Sequence, residues 1–83
     1  LLARRGEKFD LILVDPPYEK DWVGKVLRAI AQEELLREAG ILVVEHSVRE
    51  KVEENYGPLM LRDQRRYGTT LLSFFGYRST ETF

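Results

Sequence analysis

Cysteine is absent from the chain, which excludes a disulfide scaffold and any thiolate zinc site. A marked charge of either sign is absent too. The 13 basic and 14 acidic residues leave a formal net charge of -1, so a globally basic nucleic-acid binder is disfavoured while a local basic patch stays open. No apolar run approaches the ~20 residues a membrane helix needs, and no signal-peptide pattern is present, so the expected compartment is the cytoplasm. No internal repeat, linker or low-complexity segment appears. The chain has 83 residues, room for one domain (1–83) with a small core. It begins at Leu1 rather than methionine, and Leu1-Leu2-Ala3-Arg4-Arg5-Gly6 reads as a helix end with a glycine stop, which implies a fragment.

What is present is organised around Phe9-Asp10-Leu11-Ile12-Leu13-Val14-Asp15-Pro16-Pro17-Tyr18. A short apolar run that ends in a carboxylate, two prolines and an aromatic reads as a buried strand, Phe9 to Val14, delivering a polar loop to its carboxyl end. The prolines stiffen that loop and donate no hydrogen bonds. Trp22, Val23, Val26, Leu27, Ile30 and Ala31 then fall on one helical stripe. Leu35 and Leu36 continue that face, and Gly40 is placed to end the helix. Ile41 to Val44 is a second buried strand ending in Glu45 and His46, so the crossover predicts a parallel pair. Ser47 and Glu50 have capping-box spacing ahead of a short helix, Val48 to Tyr56, stopped by Gly57-Pro58. Leu59 to Arg66 is extended, Tyr67-Gly68 marks a turn, and Thr69 to Phe75 completes an antiparallel hairpin. The tail from Gly76 is expected to fray. One layered α/β unit accounts for the chain.

Asp15-Pro16-Pro17-Tyr18 resembles the D-P-P-Y loop of S-adenosylmethionine-dependent amino-methyltransferases. With G-I-L-V-V-E-H-S at 40–47 and R-R-Y-G-T-T-L-L-S-F-F at 65–75, the pattern over residues 8 to 76 resembles the bacterial small-subunit (16S) ribosomal RNA guanine-N2 methyltransferase family. The resemblance implies the carboxy-terminal half of a Rossmann-like seven-stranded sheet: strands four to seven, two parallel with crossover helices, then a reversed hairpin. It implies S-adenosyl-L-methionine as cofactor, ribosomal RNA or the small-subunit particle as partner, no metal, and catalytic roles for Asp15, Pro16, Pro17 and Tyr18.

The chemistry suits such a loop. Guanine's exocyclic amine is a weak nucleophile because its lone pair is delocalised, so a site must orient it toward the methyl sulfonium. Acceptors on its N–H bonds do this, and the Asp15 carboxylate and Pro16 carbonyl are suitable in a dry, preorganised site. Tyr18 offers a face on which a base stacks, worth about 1–3 kcal/mol. The base must first leave its own stack, which is cheapest in irregular or single-stranded RNA. Alternatives stand beside each role. Asp15 could simply cap the next helix, and Tyr18 could be a packing residue. Glu45 and His46 share the Asp15 edge and could line its rim, although a lone histidine is usually a surface residue. Arg62, Arg65 and Arg66 could bind RNA phosphates or be a solvated edge strand. Trp22 reads as core.

A methyltransferase of this kind also needs a glycine-rich strand-to-helix turn for its cofactor and an acidic residue after the next strand. No G-x-G occurs in the chain. Cofactor contact is therefore limited to the neighbourhood of Asp15 and Pro16, and the fragment alone is expected to be inactive. Its open strand edge and uncovered face should make it self-associate or pair with the missing amino-terminal half. Competing functions are an adenine-N6 amino-methyltransferase acting on DNA or RNA, and a non-catalytic α/β association module.

Overall fold

The computed structural model describes residues 8–15 and 22–77. The expected helix end at Leu1–Gly6, the loop residues Pro16, Pro17 and Tyr18, and the tail beyond Tyr77 lie outside the described residues. The elements are β1 (Phe9–Val14), α1 (Trp22–Gln32), β2 (Leu36–Ser47), β3 (Asn55–Tyr56), β4 (Leu59–Tyr67) and β5 (Thr70–Tyr77). They build one sheet of order β1-β2-β5-β4-β3. β1 and β2 are parallel, and β5 runs against both β2 and β4. Apart from the two-residue β3, this is the four-five-seven-six strand order expected of the carboxy-terminal half of a methyltransferase sheet.

The helix forms where its stripe predicts, burying Val23, Leu27, Ile30 and Ala31. It ends earlier than Gly40. The Leu35 amide donates to the Ile30 carbonyl and the Glu34 amide to the Ala31 carbonyl, at 3.3 Å each, with Glu34 left-handed at φ 52°. That is a Schellman stop built on a glutamate, with Leu35 packing back toward the core. Leu36 therefore starts β2, and Gly40 lies inside that strand instead of ending the helix. Between the pairs Phe9–Leu36 and Leu11–Ile41 the register slips. Gly40 sits in this irregularity, where a Cβ would stand 2.7 Å from Leu36 Cδ1 and 3.0 Å from the carbonyl oxygens of Arg37 and Asp10. The glycine serves a close backbone approach, not a helix stop.

The second helix, Val48 to Tyr56, does not form. Ser47 Oγ accepts from the Arg49 amide at 3.1 Å, closing a local turn, and the Glu50 carboxylate accepts from the Val23 amide at 3.3 Å, capping the start of α1. Both groups of the predicted capping box are thus diverted. Tyr56 enters β3 opposite Leu59, its ring meets Phe75 edge-on at 5.7 Å, and its hydroxyl accepts from the Glu53 amide. Tertiary contacts override a weak local helical preference.

Gly57 and Gly68, at φ 60° and 62°, turn the chain at either end of β4. β5 continues through Gly76 and Tyr77, so fraying does not begin at Gly76; Arg62 Nη1 donates to the Tyr77 carbonyl at 3.1 Å. Burial holds the Tyr77 phenol above the usual tyrosine range, assisted by the negative charge of Glu34.

The two sheet faces differ. Ile12, Val14, Leu42, Val44 and Phe75 are buried, with α1 packed on their side. On the other side Leu11, Leu13 and Ile41 are 56%, 69% and 49% exposed.

Candidate active site at the carboxyl ends of β1 and β2

Asp15 directly follows β1 and is exposed. Val14 lies opposite Val44, so continuing the parallel register brings Asp15 beside Glu45. Glu45 is in turn opposite Leu72, and Leu72 opposite Arg65. One row therefore crosses four strands on the uncovered face, from a carboxylate pair through a leucine to a guanidinium, over about 14 Å at the usual strand spacing.

Asp15 and Glu45 line a hollow of about 220 Å³ with Leu13, Val14, Val43 and Leu72. Asp15 also borders a second hollow of about 390 Å³, between the open edge of β1 and α1, whose wall includes Trp22, Val26 and Glu33. Trp22 is half-buried against the core, as its sequence position suggested, yet it also faces this second hollow. The carboxylate that ends β1 thus stands on a ridge between two cavities.

His46 is turned away from Glu45, as adjacent strand residues must be. It is 4% exposed rather than on the surface. Its Nδ1 lies 3.0 Å from the Ser47 carbonyl oxygen, which can only accept, so Nδ1 carries a hydrogen and donates. In the tautomer with hydrogen on Nδ1, Nε2 accepts from Ser73 Oγ at 2.7 Å, and Ser73 Oγ accepts from Gln64 Nε2 at 2.9 Å. All three side chains belong to one directional network across β4, β5 and β2. His46 is a structural group behind the rim.

The three candidate arginines separate. Arg65 shares the Asp15–Glu45 row, while Arg66 lies opposite Leu71 and so on the other face. Arg65 reaches Asp63 at 3.4 Å, and Arg66 Nε donates to the Gly68 carbonyl at 2.8 Å. Arg62 and Arg65 border a cleft of about 590 Å³ with Asp63, Glu38 and Phe74, toward the opposite end of the sheet from Asp15. Tyr67, which marks a turn in the sequence, is 60% exposed and one row beyond Arg65, opposite Thr70. An aromatic next to a basic pair at a hairpin tip was the available signal for it.

The sheet, its open parallel edge and the polar row at the carboxyl ends define a half-sheet of the methyltransferase type. A solved structure described as "Putative methyltransferase yhhF from Escherichia coli" shares this fold, with TM-score 0.72 and 16% identity, over 94% of this chain and 44% of that one. Residues 1–76 match the family described as "Conserved hypothetical protein 95", and the chain belongs to that family. A solved structure described as a conserved hypothetical protein of Streptococcus pyogenes has TM-score 0.79 and 25% identity, covering 87% of this chain and 45% of that chain. Among curated relatives, "Putative rRNA methyltransferase YlbH" of Bacillus subtilis is 30% identical over 92% of this chain and 41% of its own length. "Uncharacterized methylase RP545" of Rickettsia prowazekii is 32% identical over 86% of this chain and 30% of its own. The chain thus spans less than half the length of these curated relatives.

Proposed function

We propose that this chain is the target-base half of an S-adenosylmethionine-dependent methyltransferase that modifies the exocyclic N2 amine of a guanine in 16S ribosomal RNA. The observation that carries this reading is the position of Asp15: it ends a parallel strand, opens the Asp-Pro-Pro-Tyr loop, and shares a hollow with Glu45. The relative from Bacillus subtilis, named as an rRNA methyltransferase, supports RNA as the substrate.

The cofactor supplies an electrophilic methyl group. The residues present fit only the edge of its site: the chain contains no G-x-G turn, and the motif limits cofactor contact to Asp15 and to Pro16, the next residue in the sequence. What this chain contributes is orientation. The Asp15 carboxylate and the Pro16 carbonyl accept from the two amine hydrogens and hold the nitrogen lone pair in line. A methyl donor bound there would leave positive charge on the attacked nitrogen beside Asp15, whose carboxylate would stabilise that charge and could take the N–H proton that must then be lost. Pro17 stiffens the loop, Tyr18 stacks on the extruded base, and Arg65 meets a phosphate on the same face, with Arg62 and Arg66 contacting RNA farther out.

Relatives more than twice as long support a further point: these 83 residues alone neither bind the cofactor tightly nor methylate RNA, and the full-length protein is the enzyme. Transfer of labelled methyl groups from S-adenosylmethionine into ribosomal RNA by the full-length protein tests the reading. Asp15→Ala should lower the rate by about 10²–10³, the usual loss when a preorganised charge-stabilising group is removed. An unchanged rate removes Asp15 from the mechanism.

A further inference from the structure

Glu45 is the second carboxylate of this rim, and no hydrogen bond or ion pair among the described residues engages its side chain. It is exposed, on the uncovered face, at the register position beside Asp15, and it lines the same hollow. The apolar part of the hollow's lining is Leu13, Val43 and Leu72, one from each of three adjacent strands, with Val14 beside them. The neighbouring polar residue, His46, is committed to Ser47 and Ser73 on the other face. An apolar lining with acceptors along one side fits the shape and edge of a heterocyclic base.

We infer that Glu45 selects guanine by accepting the N1–H of the base whose N2 amine is held by Asp15. The inference rests on the proposed base-methylation reading. Guanine presents N1–H and N2–H side by side on its Watson–Crick edge, so two carboxylates on adjacent strands can each take a hydrogen from that edge. Adenine turns a lone pair at N1 toward the same place, and a carboxylate there faces it unpaired. A site built to accept a hydrogen bond rejects an analogue that lacks the donor far more strongly than an apolar pocket rejects a change of size. Glu45 is on this account a specificity residue that touches substrate, distinct in role from Asp15.

The test uses the full-length protein, with the methylated position first mapped in ribosomal RNA by mass spectrometry. Substrate RNA is then prepared with either guanine or 2-aminopurine at that position. 2-Aminopurine keeps the exocyclic amine and lacks N1–H. Glu45→Ala and the isosteric Glu45→Gln should each lower kcat/KM on guanine RNA, Ala by about 10- to 100-fold, the loss of a hydrogen bond to a charged group. On 2-aminopurine RNA the Ala variant should match or exceed the unsubstituted protein, so that discrimination between the two bases collapses. Equal losses on both substrates, or no loss on either, overturn the role given to Glu45. Asp15→Ala runs alongside: its inactivity on both substrates keeps the methylation reading intact whatever Glu45 does, and full activity in that variant overturns the reading and the inference with it. Circular dichroism confirms that each variant is folded.

Discussion

At the residue scale a single step along β2 separates an exposed carboxylate, Glu45, from a buried histidine, His46. Glu45 and His46 were equivalent candidates in sequence, because both follow the same apolar run. Alternation across the strand decides between them: one side chain meets the open hollow, the other the Ser73–Gln64 network. Ser73 is fully buried, and its hydroxyl both donates to His46 and accepts from Gln64. Ser73→Ala in the full-length protein should strand the imidazole nitrogen and cost about 1–3 kcal/mol of stability, measured by chemical denaturation. A loss near zero would mean that the three groups satisfy one another by another route. The arginines teach the same lesson. That Arg65 and Arg66 would split between faces was legible from alternation, but which of them joined Asp15 depended on the register shift between Leu61 and Asp63 in the β4–β5 pair, which sequence does not announce.

At the element scale, strongly periodic or strongly apolar segments were legible and short mixed ones were not. β1 has the bounds its apolar run predicts, and α1 buries the predicted stripe. The failures share a cause. Gly40 and the Ser47–Glu50 pair carry genuine local signals, but each was claimed by a distant partner: Gly40 by the close approach of Asp10, Glu50 by the amino terminus of α1. The helix stop that Gly40 was expected to provide falls to Glu34, a residue without glycine's freedom at φ 52°. Glu34→Gly should therefore stabilise the protein by up to about 1 kcal/mol, visible as a raised thermal midpoint. Gly40→Ala, in contrast, should destabilise it by more than 1 kcal/mol, since two of the close atoms are backbone and cannot swing aside. If both substitutions moved the midpoint in the same direction, the division of labour between these positions would be wrong.

At the scale of the whole molecule the dominant fact is an imbalance. Among the described residues one sheet face is covered by α1, while the other shows Leu11, Leu13 and Ile41 to solvent beside an edge of β1 that no described strand pairs. Soluble proteins rarely leave such a face and edge unaccompanied. We propose that the 83-residue chain self-associates or captures an amino-terminal half supplied separately. Light scattering at high concentration should show dimers or larger species, and Leu11→Glu with Leu13→Lys should reduce them. A monomer at all concentrations would count against the proposal.

The reversal of β5 has a last consequence. Because β5 runs backward, β4 points the same way as β1 and β2, and the turn after Tyr67 emerges at the same rim as Asp15. Gly68 stands there, and apart from its chain neighbours no described residue comes within 4 Å of where a side chain would begin. The tip has room above it while its base is tied down, the Gly68 carbonyl accepting from Arg66 Nε at 2.8 Å and the Thr69 carbonyl from the Val48 amide at 2.9 Å. On the proposed reading, additions above this turn would change how much RNA is gripped at the Asp15 rim while the strands beneath keep their register.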